Sequence, residues 1–258
     1  MNEIEINDPC LLFALKREAS SFLKEFRPQQ SFPAAPCRAR FCGPEWLTIL
    51  VVEAGVGRQA VQNALRWLLS KPKVGNVCYR PKVVISAGFS GALCDDLAVG
   101  DIILASEVID RTNRRLAISW PGDLPPDWSI PLRRGRILCS DRFIGQPDEK
   151  RRLGQDFQAL AVDMESAAAA DLCLRHRIPF GCVRVISDDI RTVLSPHLFR
   201  LFDKPRVTPF GLAAAACRSP RVVVELWRLA KQTRLAADRL ARVLGDLLTL
   251  TLTWAQTI

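Results

Sequence analysis

Histidine is almost missing from this chain, with only His176 and His197 among 258 residues. A metal centre built from histidines is therefore excluded, and the nine cysteines include no CxxC pair and no Cys/His cluster at zinc spacing. No resident metal is expected. The odd cysteine count and the placing of several in apolar segments point to reduced, buried thiols rather than a disulfide framework. No uncharged apolar tract exceeds 12 residues, the length of 247–258, against about 20 for a membrane span. The first residues, MNEIEINDPC, have neither the basic start nor the apolar run of a secretory signal. These absences lead to the expectation of a cytoplasmic protein.

Aromatics make up only 7% of the chain, and its basic residues are spread rather than clustered. A net charge of +9 therefore does not read as a nucleic-acid surface, which would need a basic stripe and a recognisable motif. At 48% hydrophobic content the chain has ample material for a large core, and disorder is excluded.

Apolar, β-branched runs recur along the sequence: CLLFAL (10–15), LTILVVE (47–53), KVVISAG (82–88), DIILASEVI (101–109), LAVD (160–163) and PFGCVRVIS (179–187). Between them lie stretches with helical spacing, KREASSFLKEF (16–26), RQAVQNALRWLLS (58–70) and AAAADLCLRH (167–176). A buried sheet flanked by helices follows. The segment 111–136, with four prolines and little periodicity, reads as a loop excursion. Past residue 189 the pattern changes. Residues 220–245 predict a long amphipathic helix, and seven basic residues against three acidic ones fall in 218–246. No linker or internal repeat divides the chain, so 1–258 reads as one domain with 190–258 as a helical extension.

Gly55-Val-Gly57-Arg-Gln-Ala60 follows a strand and opens a helix, as a dinucleotide fingerprint does. The next strand, however, ends in Ser86 and glycines instead of the acid that binds a ribose. Gly88-Phe89-Ser90-Gly91 is GxSG, not the GxSxG of a nucleophile elbow, and neither histidine is placed to complete a triad. Turns of this kind bring backbone N–H groups close to a phosphate, sugar or oxyanion. Two acidic motifs, Val162-Asp163-Met164-Glu165-Ser166 and Val185-Ile186-Ser187-Asp188-Asp189, sit at the ends of apolar runs, where an α/β sheet opens onto its ligand crevice. A plainer reading has Asp163 and Ser187 as helix caps.

VISAGFSGALCDDLAVGDIIL (84–104), LCSDRFIG (138–145), AVDMESAAAA (161–170) and VRVISDD (183–189) resemble, in order and spacing, the signature segments of the nucleoside phosphorylase/nucleosidase family. The likeness runs over about residues 10 to 190 and is nearest, among enzymes, to the methylthioadenosine/S-adenosylhomocysteine nucleosidases. It implies an α/β fold, three-layer α/β/α around a mixed, partly barrel-like sheet, here with a C-terminal amphipathic helix, and cleavage of a purine N-glycosidic bond without a cofactor. Asp188 matches the general acid that protonates the purine at N7, and Ser187 the residue that orients it. Glu165 matches the acceptor of the ribose hydroxyls and Met164 the side chain packed on the sugar. Phe143 matches the ring stacked on the base, with the Ile144 backbone reading its edge, and Arg184 a basic residue near the sugar. Glu18, closing Ala14-Leu15-Lys16-Arg17-Glu18, matches the base that activates water. Its alternative is an ordinary acid on an exposed helix face.

Where nucleosidases carry a small residue this chain has Phe89, so the pocket formed with Ser90 and Gly91 is altered. Lys16, Arg17 and Arg58 lie near turns where phosphorylases bind phosphate, which leaves phosphate open as a co-substrate. The segment 195–248 resembles the C-terminal extension of hopanoid-associated phosphorylase-like proteins. That resemblance implies adenosylhopane, a 5′-lipid-substituted adenosine, as substrate. The alternatives are a methylthioadenosine/S-adenosylhomocysteine nucleosidase and a non-catalytic nucleoside-binding protein. The family resemblance also implies a homodimer or larger homo-oligomer. Leu226, Trp227 and Leu229 with flanking arginines suit a peripheral contact with the inner membrane, or else packing on the sheet or a partner subunit.

Overall fold

A computed structural model describes residues 4–6, 8–32, 35–43, 47–74, 77–118, 120, 132–193 and 220–255, with the side chains of 4–6, 220–229 and 250–255 outside the description. The strands are β1 (Ile4–Ile6), β2 (Cys10–Phe13), β3 (Pro28–Ser31), β4 (Arg38–Cys42), β5 (Ile49–Glu53), β6 (Lys73–Val74), β7 (Val77–Tyr79), β8 (Val84–Ala92), β9 (Ile102–Asp110), β10 (Arg115–Ala117), β11 (Leu132–Cys139), β12 (Ala161–Asp163) and β13 (Phe180–Asp188). The helices are α1 (Lys16–Ala19), α2 (Phe22–Glu25), α3 (Arg58–Leu69), α4 (Pro147–Phe157), α5 (Ser166–Arg175) and α6 (Pro220–Ala255).

Five strands close on themselves. β8 pairs β13, β13 pairs β9, β9 pairs β11, β11 pairs β12, and β12 returns to β8. From this barrel an open sheet continues through β2, β5, β4 and β3, while β1, β7 and β6 form a small separate sheet. The expected mixed, partly barrel-like sheet is therefore present. Strand directions are mixed because β2, β5, β8 and β13 run parallel while β12 meets β8 and β13 meets β9 antiparallel.

The near-continuous apolar runs arise because these strands are covered on both faces. Cys10 and Leu12 of β2, Leu50 and Val52 of β5, and Cys182 and Ile186 of β13 join one core cluster with α3 and α5. Their neighbours Leu11, Phe13, Ile49, Val51, Val183 and Val185 join a second cluster with α2 and α6. The described side chains of α6 turn Ala236, Leu240, Val243, Leu244 and Leu247 into that core. Its apolar stripe over this stretch thus packs on the sheet rather than facing a membrane; Leu226, Trp227 and Leu229 lie outside the described side chains. No helix among the described residues is long and apolar enough to cross a membrane. Leu244→Ala, at a fully buried site, is expected to lower stability by about 2–5 kcal/mol, measured by chemical denaturation. A change within about 0.5 kcal/mol, the size of a surface effect, would place this face of α6 outside the core.

Three expectations need correction. The segment read as a loop, 111–136, contains β10 and the start of β11, which is itself a barrel strand. Its arginines hid it: Arg133 reaches Asp96 and Arg136 reaches Glu107 and the Phe157 carbonyl, so charged residues occupy strand positions through local pairing. The helix expected over 16–26 breaks into α1 and α2, with Ser20 bonding back to the Arg17 carbonyl and Ser21 donating to Asp238 of α6. Serines here satisfy backbone and a partner helix instead of continuing the turn. The long helix runs to Ala255, ten residues beyond the expected 245, because Leu247 and Leu248 extend the buried stripe.

Candidate active site

The carboxyl end of β2 delivers the chain into α1, a single turn whose N-cap is Leu15. Glu18 folds back over that turn. Its Oε2 accepts from the N–H groups of Ala14 at 2.9 Å and Leu15 at 2.7 Å, and its Oε1 accepts from the Phe89 N–H at 2.8 Å. This is the acidic half of a capping box, with donors otherwise orphaned at a helix start. The side chain is 4% exposed, so the reading of an ordinary surface acid is corrected. Gly88 makes the approach feasible, since a Cβ there would lie 2.7 Å from Glu18 Oε1. Burial pushes the Glu18 carboxyl above its ordinary range, opposed by the Phe89 and Leu15 N–H groups and by Arg184.

Glu165 enters from the junction of β12 and α5. Its Oε1 accepts from the Gly57 N–H at 2.7 Å and its Oε2 from the Met164 N–H at 3.2 Å. The glycine turn at 55–57 therefore serves the N-terminus of α3 as an anion site, as its sequence suggests, but the anion is the protein's own carboxylate. Burial, then the charges of Asp163 and Glu18, push Glu165 up to about 8, against the pull of Gly57 and Arg184. Glu18, Glu165, Ser86, Gly88, Phe89 and Arg184 share the wall of one narrow recess.

Arg184 lies beneath both carboxylates, 2% exposed. Its Nε donates to Asp163 Oδ2 at 2.7 Å, and Nη2 lies 2.5 Å from the same oxygen. The remaining donors go to the Ser86 carbonyl, the Ser86 hydroxyl and the Val183 carbonyl, each at 2.9 Å. All its N–H groups are thus committed within the protein. Arg184 is placed near the expected sugar pocket as a fixed positive charge. Asp163 is not the N-cap of α5, a position held by Glu165, but it accepts from the hydroxyl of the first helical residue, Ser166, at 2.7 Å and from its N–H at 3.1 Å, and is the buried counter-ion of Arg184.

A second recess is lined by Gly91, Arg142, Phe143, Ile144, Val162, Asp163, Met164 and Asp188. Here the residues matched to base recognition, Phe143 and Ile144, meet Met164 and Asp188. The Ser187 hydroxyl is 2.8 Å from Asp188 Oδ1 and 3.2 Å from the Ser90 carbonyl. Lys150 Nζ donates to Asp188 Oδ2 at 2.5 Å. Burial raises the Asp188 carboxyl above its ordinary value, while Lys150 and Ser187 pull it down.

Of the remaining sequence candidates, Phe89 lines the first recess and supplies its N–H to Glu18, whereas the Ser90 side chain is turned toward the Val185 carbonyl at 3.3 Å. Lys16 and Arg17 are exposed, Arg17 reaches Thr233 of α6, and Arg58 pairs with Asp141 at 3.0 Å. Neither recess has any of these three cations in its lining. Sequence reasoning missed Lys150 and the Asp163–Arg184 pair. No sequence signal marked Lys150, because a lysine three residues before Leu153, the other buried residue of α4, reads in the sequence as a surface residue.

A closed barrel with buried carboxylates at its strand ends defines a class. The sequence pattern of the Phosphorylase superfamily matches residues 12–203, and the chain belongs to that superfamily. It is similar to the 5′-methylthioadenosine/S-adenosylhomocysteine nucleosidase of Tolumonas auensis, 26% identical over 215 residues, covering 73% of this chain and 89% of that one. It is also similar to the nucleosidase of the same name from Staphylococcus epidermidis, 25% identical over 162 residues, covering 54% and 68%. Among solved structures, the fold is shared with the nucleosidase from Neisseria meningitidis in complex with methylthio-immucillin-A, TM-score 0.67, 16% identity, covering 94% of this chain and 98% of that one. It is shared too with the futalosine hydrolase of Helicobacter pylori, TM-score 0.65, 17% identity, covering 95% and 98%.

Proposed function

We propose that this chain hydrolyses the N-glycosidic bond of an adenine nucleoside. The observation that carries the reading is that two differently held, buried carboxylates lie against one strand, Glu18 at Gly88 and Asp188 at Gly91: Glu18 is gripped by three backbone N–H groups, and Asp188 is held between Lys150 and Ser187. The chemistry needs one of each kind. An anionic purine leaves poorly, so Asp188 gives its proton to N7 as the bond between C1′ and N9 breaks. The ribosyl group develops oxocarbenium character. Glu18 takes a proton from the water whose oxygen then bonds to C1′, so the products are neutral adenine and the free sugar. Glu165 accepts the ribose hydroxyls, Met164 packs on the sugar, and Phe143 stacks on the base with the Ile144 backbone at its edge. Arg184 holds its charge below, keeping the two glutamates from repelling each other unopposed.

Water rather than phosphate is the favoured nucleophile. Two carboxylates face the first recess, the donors of Arg184 are spent, and Lys16, Arg17 and Arg58 do not line it. Among the described lining residues, Arg184 is the sole cation and its donors are already bonded, so a phosphate dianion there would gain no hydrogen bond from a cation. For the 5′ group, the resemblance of 195–248 to hopanoid-associated proteins favours a lipid-substituted adenosine such as adenosylhopane. The names of the relatives favour the small methylthio group.

Free adenine measured after incubation with methylthioadenosine, and with an adenosine bearing a bulky apolar 5′ group, each with and without phosphate, tests both points. Release from the bulky substrate at a rate indifferent to phosphate is expected. Release that requires phosphate would make the chain a phosphorylase, preference for methylthioadenosine would remove the lipid substrate, and no release would leave a nucleoside-binding protein.

A further inference from the structure

Lys150 is the one lysine among the described residues that is wholly buried. It is brought there by α4, which presses so closely on the barrel that a Cβ at Gly154 would lie 2.2 Å from the Leu93 carbonyl oxygen. One turn earlier on the same helix, Lys150 Nζ reaches Asp188 Oδ2 at 2.5 Å, the Asp189 carbonyl at 2.8 Å and the Thr192 carbonyl at 3.4 Å. Three acceptors match the three donors of an ammonium. Burying a charged pair rarely adds stability over an apolar side chain of similar volume, so its position beside the acid is better explained by what it does to Asp188.

We propose that Lys150 is a positioning residue for the general acid: its ammonium occupies Oδ2, so that Oδ1, which the Ser187 hydroxyl also contacts at 2.8 Å, carries the proton, and it stabilises the carboxylate formed when that proton moves to the base. This rests on the reading of Asp188 as the acid. In the step, the O–H bond at Oδ1 breaks, the proton bonds to N7, and the electron pair stays on the carboxylate facing Lys150. The groups around Asp188 are Lys150 from α4, Ser187 beside it on β13, and Asp189 following it. The recess wall also carries Gly91 of β8, Asp163 of β12, which is paired with Arg184, and Arg142, which is paired with Glu149; its other lining residues are uncharged. Lys150 is the cation in direct contact. It makes Asp188 a stronger acid than burial alone would allow.

The test is adenine release against pH for the wild type, K150M, K150Q and K150R. Turnover requires protonated Asp188, so it falls as pH rises through the pKa of that group. Without the ammonium this alkaline limb is expected to move up by about one to three pH units, with kcat at neutral pH down about tenfold and KM little changed. K150R is expected to keep the limb near its wild-type position. K150Q, which keeps an amide donor for the Asp189 carbonyl, carries the test if K150M does not fold. An active wild type whose K150Q limb stays in place overturns this proposal alone. A wild type that releases no base from any adenine nucleoside overturns it together with the function proposed above.

Discussion

Asp188→Asn is expected to lower adenine release by about 10²–10⁴-fold, the range of a positioned general acid, while leaving nucleoside binding largely intact. Asn keeps the volume and an acceptor oxygen for Lys150, and its amide can still donate to a purine nitrogen. It has no proton to give. The measurements are single-turnover adenine release and the dissociation constant of a non-cleavable nucleoside analogue. Unchanged turnover would remove Asp188 from the mechanism, and loss of binding and turnover together would make it a recognition residue. In the wild type the activity is expected to rise with pH as Glu18 ionises and to fall as Asp188 loses its proton. Both groups are raised by burial, so both limbs lie above the ordinary carboxylate range.

Glu18→Gln is expected to cost a comparable 10²–10⁴-fold, roughly, because water then lacks its proton acceptor. This variant carries a second consequence that Asp188→Asn does not. Glu18 accepts three backbone N–H groups through two oxygens, and a Gln amide turns an NH₂ toward either Phe89 or the Ala14 and Leu15 pair. At least one buried donor is left facing a donor, worth about 1–3 kcal/mol and visible in thermal unfolding. Loss of the charge also lets the Glu165 carboxyl fall from about 8, since Glu18 contributes to that elevation. Wild-type turnover in Glu18→Gln would place the base elsewhere, and retained analogue binding with no turnover is the expected pattern.

What the sequence made legible follows from burial. β2, β5, β8, β9 and β13 are buried on both faces, their residues divided between two core clusters, so each announces itself as an apolar run. β11 does not, because it carries arginines, two of which, Arg133 and Arg136, are neutralised by Asp96 and Glu107, partners 37 and 29 residues away along the chain. α4 buries only Lys150 and Leu153, and a lysine on the inner stripe erases the periodicity that would mark the helix.

The amino-acid sequence by itself determined the family, the alternation of strand and helix, and the carboxylates at strand ends, since these are local patterns of residue type and spacing. It also determined Ser187 beside Asp188, as neighbours on one strand. The tertiary structure decided whether Glu18 is a surface acid or a buried carboxylate, because that depends on a glycine and an N–H contributed by β8, the N–H 71 residues on. It decided that Arg184 serves Asp163, and that the phosphate-like turn at 55–57 holds Glu165. It brought Lys150 to an acid 38 residues away. Closing five strands into a ring sets which ends converge, and that convergence fixes the proton affinities on which the proposed chemistry depends.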